Sequence, residues 1–239
     1  MWLAGNRRSR GDLDLYIGTR AFAFAGKGRR HTEAALDGID AVFLTMEAHL
    51  DNGAEGSSRV RVWLSGALCR PFVVPVLPGV RTQDELHRAA MAMAAARTGL
   101  PGPCEVWLDA GPLDRSRVAV AMHREVLDRL LQVLRARRDR IVSIRPWWSG
   151  VLDEASRRDA NAPAIAAVDD ESLTVLLGHG DAIESVNCIS PIIDADAATA
   201  ALARALISSD VESGRELVGR LRLDADQSAK GIPWLEWLR

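Results

Sequence analysis

The chain has 239 residues, of which 48% are hydrophobic and 26% charged, so its composition is that of a globular protein with one large or two small domains. The formal net charge of −2 excludes the strong basic field that attracts nucleic acid, and we expect no nucleic-acid partner. Cys69, Cys104 and Cys188 lie far apart without a C-x-x-C pair, which excludes a disulfide framework or a zinc knuckle.

The first predicted elements are two strands in the segment DLDLYIGTRAFAFAG, residues 12–26. Polar and apolar residues alternate around Gly18 and Thr19, which is typical of two strands joined by a tight turn. Residues 27–30 form a polar stretch, and residues 49–59 are rich in Gly, Ser and Asn, which indicates an exposed loop.

Strands and helices alternate from there to residue 158. Thr82 and Glu85 have the spacing of a capping box at the start of a helix. Pro71 makes its strand an edge strand or an extended segment. The predicted strands are 60–65, 71–76, 104–111, 116–123 and 140–148; the predicted helices begin near 82, near 124 and near 149.

The second half begins like the first. The segment PAIAAVDDESLTVLLGHGDAIESVNCI, residues 163–189, predicts a meander of three strands with short polar turns. A helix over 196–207 and a strand near Leu221 follow, and then a polar linker with a short amphipathic end. The order of elements therefore predicts an internal repeat with boundaries at 11–158, 159–223 and a tail over 224–239.

Aligning YIGTRAFAF with DDESLTVLL pairs Tyr16 with Asp169, Gly18 with Glu171, and Thr19 with Ser172. Together with CEVWLDAG, RVAVAMH…VLDRLL and AIAAVDDESLTVLL, these segments resemble the actin-like ATPase superfamily. Within it, they are similar to PilM-type pilus assembly proteins and to the cytoplasmic domain of the type II secretion L protein. The resemblance implies an α/β fold of two ribonuclease H-like halves. Each half is a mixed sheet that starts with an antiparallel meander and is flanked by helices, and the second half is shortened.

Active members of this superfamily carry Asp-x-Gly-Thr/Ser in the first hairpin, where the acid organises a metal and the turn amides hold phosphate. Here Tyr16 stands in place of the acid. In the second hairpin Asp169 and Ser172 match the motif, but acidic residues replace its glycines, and two carboxylates would repel a triphosphate. We therefore expect Gly18, Thr19, Asp169 and Ser172 to be structural relics, with no cofactor, no metal and no ATP-Mg²⁺ turnover.

The resemblance implies a non-catalytic scaffold, a pseudo-ATPase, in the inner-membrane assembly platform of a type IV pilus or a type II secretion system. Its partner would be a cytoplasmic peptide of a membrane-anchored platform protein or the assembly ATPase. We expect a cytoplasmic location at the inner membrane through that partner, without a direct membrane span. Trp148, Trp234 and Trp237 are candidates for partner contact, and one of Trp147 and Trp148 is expected at the surface. For Trp234 and Trp237 the favoured alternative is that they pack back on the domain. Homodimer formation is left open.

Two enzyme classes are alternatives. A divergent sugar or acetate kinase-like phosphotransferase would need a carboxylate base with Mg²⁺-ATP, for which Asp169 is the motif-matched candidate. A ribonuclease H-like nuclease would need converging carboxylates, such as those of Asp14, Asp109, Asp169 and Asp170. The histidines have no H-x-x-x-H spacing, so no metal site is predicted from them.

Overall fold

The computed structural model describes residues 12–26, 29–51, 59–179, 182–192, 194–209, 216–223 and 235–238. These residues form an α/β fold with two five-stranded mixed sheets, a separate three-stranded sheet and flanking helices. The two large sheets repeat the same order of elements, as the sequence predicts.

The first large sheet has the strand order β3-β2-β1-β4-β8. Its strands are β1 (Asp12–Ile17), β2 (Phe22–Gly26), β3 (Arg29–Glu33), β4 (Arg59–Leu64) and β8 (Arg140–Pro146). The first three form an antiparallel meander, and β4 and β8 continue the sheet in parallel with β1. The central position of β1 buries both of its faces, which is why Leu15 and Tyr16 are both inaccessible to solvent.

The second large sheet has the strand order β11-β10-β9-β12-β13. Its strands are β9 (Ala164–Val168), β10 (Leu173–His179), β11 (Ala182–Ile189), β12 (Leu217–Leu221) and β13 (Leu235–Leu238). As in the first sheet, a three-stranded meander is extended by a parallel strand. The last strand differs between the sheets, because β13 runs antiparallel to β12 whereas β8 runs parallel to β4.

The small sheet has the order β5-β7-β6, with β5 (Cys69–Val74), β6 (Cys104–Leu108) and β7 (Arg117–His123) all antiparallel. Helix α2 (Gln83–Thr98) covers it with Leu86, Ala90 and Ala94. The predicted capping box is present, and Gly99 ends the helix in the left-handed conformation at φ 68°. Pro71 lies on the edge strand β5, where no inner ladder donor is lost.

The remaining helices are α1 (Ile39–Asp51), α3 (Arg124–Ala136), α4 (Trp147–Arg158) and α5 (Ala195–Ser208). One hydrophobic core joins both halves: it contains Tyr16 and Trp148 from the first and Ile165 and Leu176 from the second. A smaller core lies between α5 and the second large sheet. Among the described residues, no helix has the length and apolar character needed to cross a bilayer.

The structure differs from the sequence predictions at the tail and in the first half. Residues 235–238 of the predicted amphipathic tail form a strand on the edge of β12, and residues 224–234 lie outside the described part of the chain. A short apolar run with two tryptophans three residues apart fits a helix or a strand equally well. Pairing with the available edge of β12 favours the strand. The polar stretch that begins at Lys27 also contains a missed strand, β3, whose charged residues suit a sheet edge.

Candidate functional site

Two four-residue turns face each other where the halves meet. The first turn, residues 18–21, joins β1 to β2 and is closed by the Gly18 amide, which donates to the Ala21 carbonyl at 2.8 Å. The second turn, residues 169–172, joins β9 to β10 and is closed in the same way, from the Asp169 amide to the Ser172 carbonyl at 2.9 Å. The two turns are thus equivalent residue by residue.

This equivalence corrects the alignment of the halves. The strand ends match Ile17 with Val168, so Gly18 corresponds to Asp169 and Tyr16 to Ala167. The sequence pairing of Tyr16 with Asp169 is therefore wrong by two residues, because it aligned residue types rather than strand ends. Asp169 stands at the glycine position of the motif, and neither half has a carboxylate at the position where the superfamily motif places its acid.

Side chains of the second turn contact the first turn directly. The Tyr16 hydroxyl donates a hydrogen bond to Asp170 Oδ1. Glu171 Oε2 accepts from both the backbone amide of Thr19, at 3.1 Å, and the Thr19 hydroxyl. The donors that a phosphate would use in the first turn are therefore occupied by the protein's own carboxylates. We call this contact the hairpin joint, comprising Tyr16, Gly18 and Thr19 with Asp170 and Glu171.

Gly18 is needed for the close approach of the two turns. A Cβ atom at this position would overlap the Asp170 carboxylate. In a phosphate loop, glycine serves to let the anion reach the backbone. Here the anionic group that approaches the glycine belongs to Asp170.

Asp169 ties the second turn to the end of β4. Its carboxylate accepts from the Gly66 amide at 2.7 Å, the Ser65 hydroxyl at 3.1 Å, and the Ser172 amide and hydroxyl at 2.7 and 2.8 Å. Burial raises the pKa of Asp169, although the hydrogen bonds from Gly66 and Glu171 oppose this shift. A Cβ at Gly66 would lie 2.5 Å from Ser172 Oγ, so this crossing also requires a glycine.

Asp170 is the least satisfied group of the joint. Its Oδ2 atom is buried and has no hydrogen-bond partner among the described residues. Burial, followed by the neighbouring Asp169, raises the pKa of Asp170 well above its ordinary value. Burial and the same two carboxylates also raise the pKa of Tyr16. Both pKa shifts follow from the free-energy cost of adding a charge at this buried place beside Asp169.

A cavity of about 430 Å³ opens beside the second turn. Its charged lining consists of Asp169, Asp170 and Asp194 against the single guanidinium of Arg220, and Ile192 is among its apolar residues. Like charges about 4 Å apart cost on the order of 1 kcal/mol in water and several times more when partly buried. The lining is therefore unfavourable for a polyphosphate.

The actin-like fold implies ATP with Mg²⁺, and the residues present do not fit that ligand. The backbone and hydroxyl donors of Thr19 are used by Glu171, and the space against Gly18 is filled by Asp170. The oxygens of Asp169 already accept hydrogen bonds from several donors. Cys188 adds no nucleophile, because burial raises its pKa to about 11.

The carboxylates proposed for a nuclease do not converge. Asp14 is buried in an ion pair with Arg61 at 3.0 Å and also accepts from the Trp63 indole at 3.1 Å. Asp109 lies at the small sheet, where it pairs with Arg117 at 2.5 Å. These two acids thus have structural partners away from the hairpin joint.

The tryptophans proposed for partner contact have different positions. Trp148 is only 2% exposed and Trp147 is fully buried, so the prediction of one surface indole in this pair is wrong. The Trp148 indole donates to the Cys69 carbonyl at 3.4 Å, within the core that joins the halves. Trp237 packs back on the domain beneath the Arg158 guanidinium, 4.6 Å from the ring centre. Trp234 lies outside the described residues.

Two features of the structure have no signal in the sequence. Ser65, which holds Asp169, lies 104 residues from it along the chain. His31, Glu33 and His49 form a cluster that no H-x-x-x-H motif announces, because its members come from a strand and a helix. Only the alternate spacing of His31 and Glu33 in a strand could have placed part of that cluster on one face.

No protein-family model matches the sequence, and no curated protein is similar to it. A Bacteroides thetaiotaomicron protein with an actin-like ATPase fold and unknown function superposes with a TM-score of 0.60 at 7% identity, covering 92% of this chain and 84% of that one. The PilM–PilN type IV pilus biogenesis complex gives 0.51 at 21% identity, covering 83% and 67%. The cytoplasmic domain of EpsL, an inner-membrane component of the type II secretion system of Vibrio cholerae, gives 0.49 at 13% identity, covering 92% and 87%.

The first two similarities extend over most of both chains and agree with the repeated sheets described above. At 7% and 21% identity, these similarities establish the fold of the chain and not its function. The chain therefore has the two-lobed actin-like ATPase fold.

Proposed function

We propose that this protein is a non-catalytic actin-like scaffold in the assembly platform of a type IV pilus or a related type II secretion machine. The hairpin joint is the observation that carries this proposal. Asp170 accepts from the Tyr16 hydroxyl and Glu171 accepts from Thr19, so the protein's own side chains occupy the hydrogen-bond donors beside the first turn. These contacts hold the two turns against each other. The same contacts argue against a phosphotransferase, which needs these donors for its nucleotide.

The proposed partner is the cytoplasmic peptide of a membrane-anchored platform protein, or the assembly ATPase. The fold shared with PilM, which forms a complex with PilN, supports this choice. Peptides commonly bind such domains through main-chain hydrogen bonds and apolar anchor pockets. The protein would then act at the cytoplasmic face of the inner membrane without spanning it.

Peptide binding tests this proposal directly. Fluorescein-labelled cytoplasmic peptides of membrane proteins encoded beside this gene are titrated with the full chain, and anisotropy is recorded. We expect saturable binding by one such peptide and none by its scrambled control. Absence of binding by every neighbouring peptide and by the purified assembly ATPase, together with hydrolysis of ATP, would replace the scaffold by an enzyme.

A further inference from the structure

Three metal-ligating side chains meet on one face of the first large sheet. His31 and Glu33 are two residues apart on β3, so they point to the same side of the strand. His49 reaches them from the last turn of α1. One donor atom from each residue lies within 4.8 Å of the other two. Two imidazoles and a carboxylate are a common ligand set for zinc.

The hydrogen bond of His49 fixes which of its nitrogens faces the cluster. Nδ1 lies 2.9 Å from the Thr45 carbonyl, and a carbonyl can only accept, so Nδ1 carries the proton. The neutral ring then has its lone pair on Nε2. Metal-binding histidines are typically oriented in this way, by a hydrogen bond from the other ring nitrogen to a backbone carbonyl.

His31 also contributes a ring nitrogen, Nε2, to this cluster. Its Nε2 atom is shielded from solvent, makes no hydrogen bond within the described residues, and lies 3.5 Å from Glu33 Oε2. A buried ring nitrogen without a partner is costly, and a metal ion would satisfy it.

The surrounding packing holds both rings in position. The imidazoles of His31 and His49 are stacked with their centres 3.9 Å apart. The rings of Phe22 and Phe24 lie 5.6 and 5.5 Å from His31 on the neighbouring strand β2. This packing keeps the two imidazoles close to each other and to the Glu33 carboxylate, and the rings turn away from their stacked arrangement when an ion binds.

We propose that His31, Glu33 and His49 form a binding site for Zn²⁺ or a similar divalent transition metal. Tetrahedral zinc would place its ligand atoms about 3.4 Å apart, so the three side chains must draw together and the two stacked imidazoles must rotate apart to point at one ion. The side chains of His31 and Glu33 are 26% and 39% exposed, so the fourth position opens to solvent and can take water or a ligand from a partner. The ion would clamp the edge strand β3 to the end of α1.

This site is separate from the hairpin joint. The other face of β3 carries Arg30 and Thr32, which both donate to the Leu223 carbonyl at 3.2 Å in the second half of the chain.

Titration calorimetry of the full chain with ZnCl₂, after chelator treatment, tests the proposal. We expect one ion per chain, a rise in the melting temperature with Zn²⁺, and the visible absorption of tetrahedral Co²⁺ on substitution. His31→Ala, His49→Ala and Glu33→Gln should each weaken Zn²⁺ binding by about tenfold or more. Glu33→Gln preserves size and provides a folded variant if either histidine replacement unfolds the chain.

His87→Ala is the matched control, because His87 bonds to the Val106 carbonyl on the small sheet, away from the cluster. It should bind Zn²⁺ as tightly as the original chain. The proposal is overturned if the original chain binds no Zn²⁺, or if Glu33→Gln and both histidine variants bind it with unchanged affinity.

Discussion

The two turns that face each other have the same backbone and opposite chemistry. The first turn offers donors, from Tyr16 and Thr19, around a glycine. The second turn offers acceptors, the carboxylates of Asp170 and Glu171. In an ATPase, both turns would present donors to one bound anion. The difference teaches that the carboxylates of the second turn stand where a bound anion would stand at the first turn. The contact between the two turns is therefore structural.

The largest expected effect concerns the strand that carries the first turn. Asp14→Ala leaves the buried Arg61 guanidinium without its carboxylate, which should lower the free energy of unfolding by about 3–5 kcal/mol. Chemical denaturation measures this loss. Asp153→Ala is the control, because its ion pair with Arg145 involves a carboxylate that is 46% exposed, and it should cost about 1 kcal/mol or less. Equal losses in both variants would contradict the burial assigned to Asp14.

Gly18→Val tests the close approach of the two turns. The added side chain overlaps the Asp170 carboxylate, so we expect a loss of about 1–3 kcal/mol in the free energy of unfolding. In an Asp170→Ala background the same substitution should cost clearly less, because the overlapping group is gone. A cost that is independent of residue 170 would show that the turns do not touch.

Tyr16→Phe removes the hydroxyl that donates across the joint while keeping the aromatic ring. The loss should be about 1 kcal/mol or more, since the hydrogen bond from the Tyr16 hydroxyl to Asp170 is broken in a buried site. A double-mutant cycle with Asp170→Ala, which removes the acceptor, isolates the interaction between the two side chains. Additive effects in that cycle would mean that the two residues are not coupled.

A further effect is expected in the pH dependence of stability. Burial raises the pKa of Asp170 in the folded chain, so its stabilising contribution is complete below the unfolded-state pKa. That contribution is lost as pH rises through the folded-state pKa. Stability should thus fall above about pH 4, by at most about 1.4 kcal/mol per pH unit for this group. Asp170→Asn, measured by urea denaturation at several pH values, should flatten the decline; an unchanged slope would exclude Asp170 as its source.

Much of the fold follows from local patterns. Alternation predicts the two hairpins, and the capping box at Thr82 predicts the start of α2. Local patterns do not reveal the available edge of β12, so they predict an amphipathic tail where residues 235–238 form a strand. The burial of Trp148 depends on the core that joins the halves, which no segment contains by itself.

The candidate site was predicted only in part. Motif positions located both turns and indicated that the first turn had lost its acid. The contact between Tyr16 and Asp170 joins residues 154 positions apart, and no local spacing encodes it. The equivalence of Gly18 with Asp169 is visible only from the positions where the strands end, because an alignment by residue type pairs Gly18 with Glu171.

The central claim is that the hairpin joint leaves no place for a nucleotide, and a thermal melt of the full chain with Mg²⁺-ATP tests it most directly. A ligand that binds the folded chain must raise its melting temperature. The structure predicts the same melting temperature with Mg²⁺-ATP at millimolar concentration as with Mg²⁺ alone. A rise of several degrees with Mg²⁺-ATP would contradict this account.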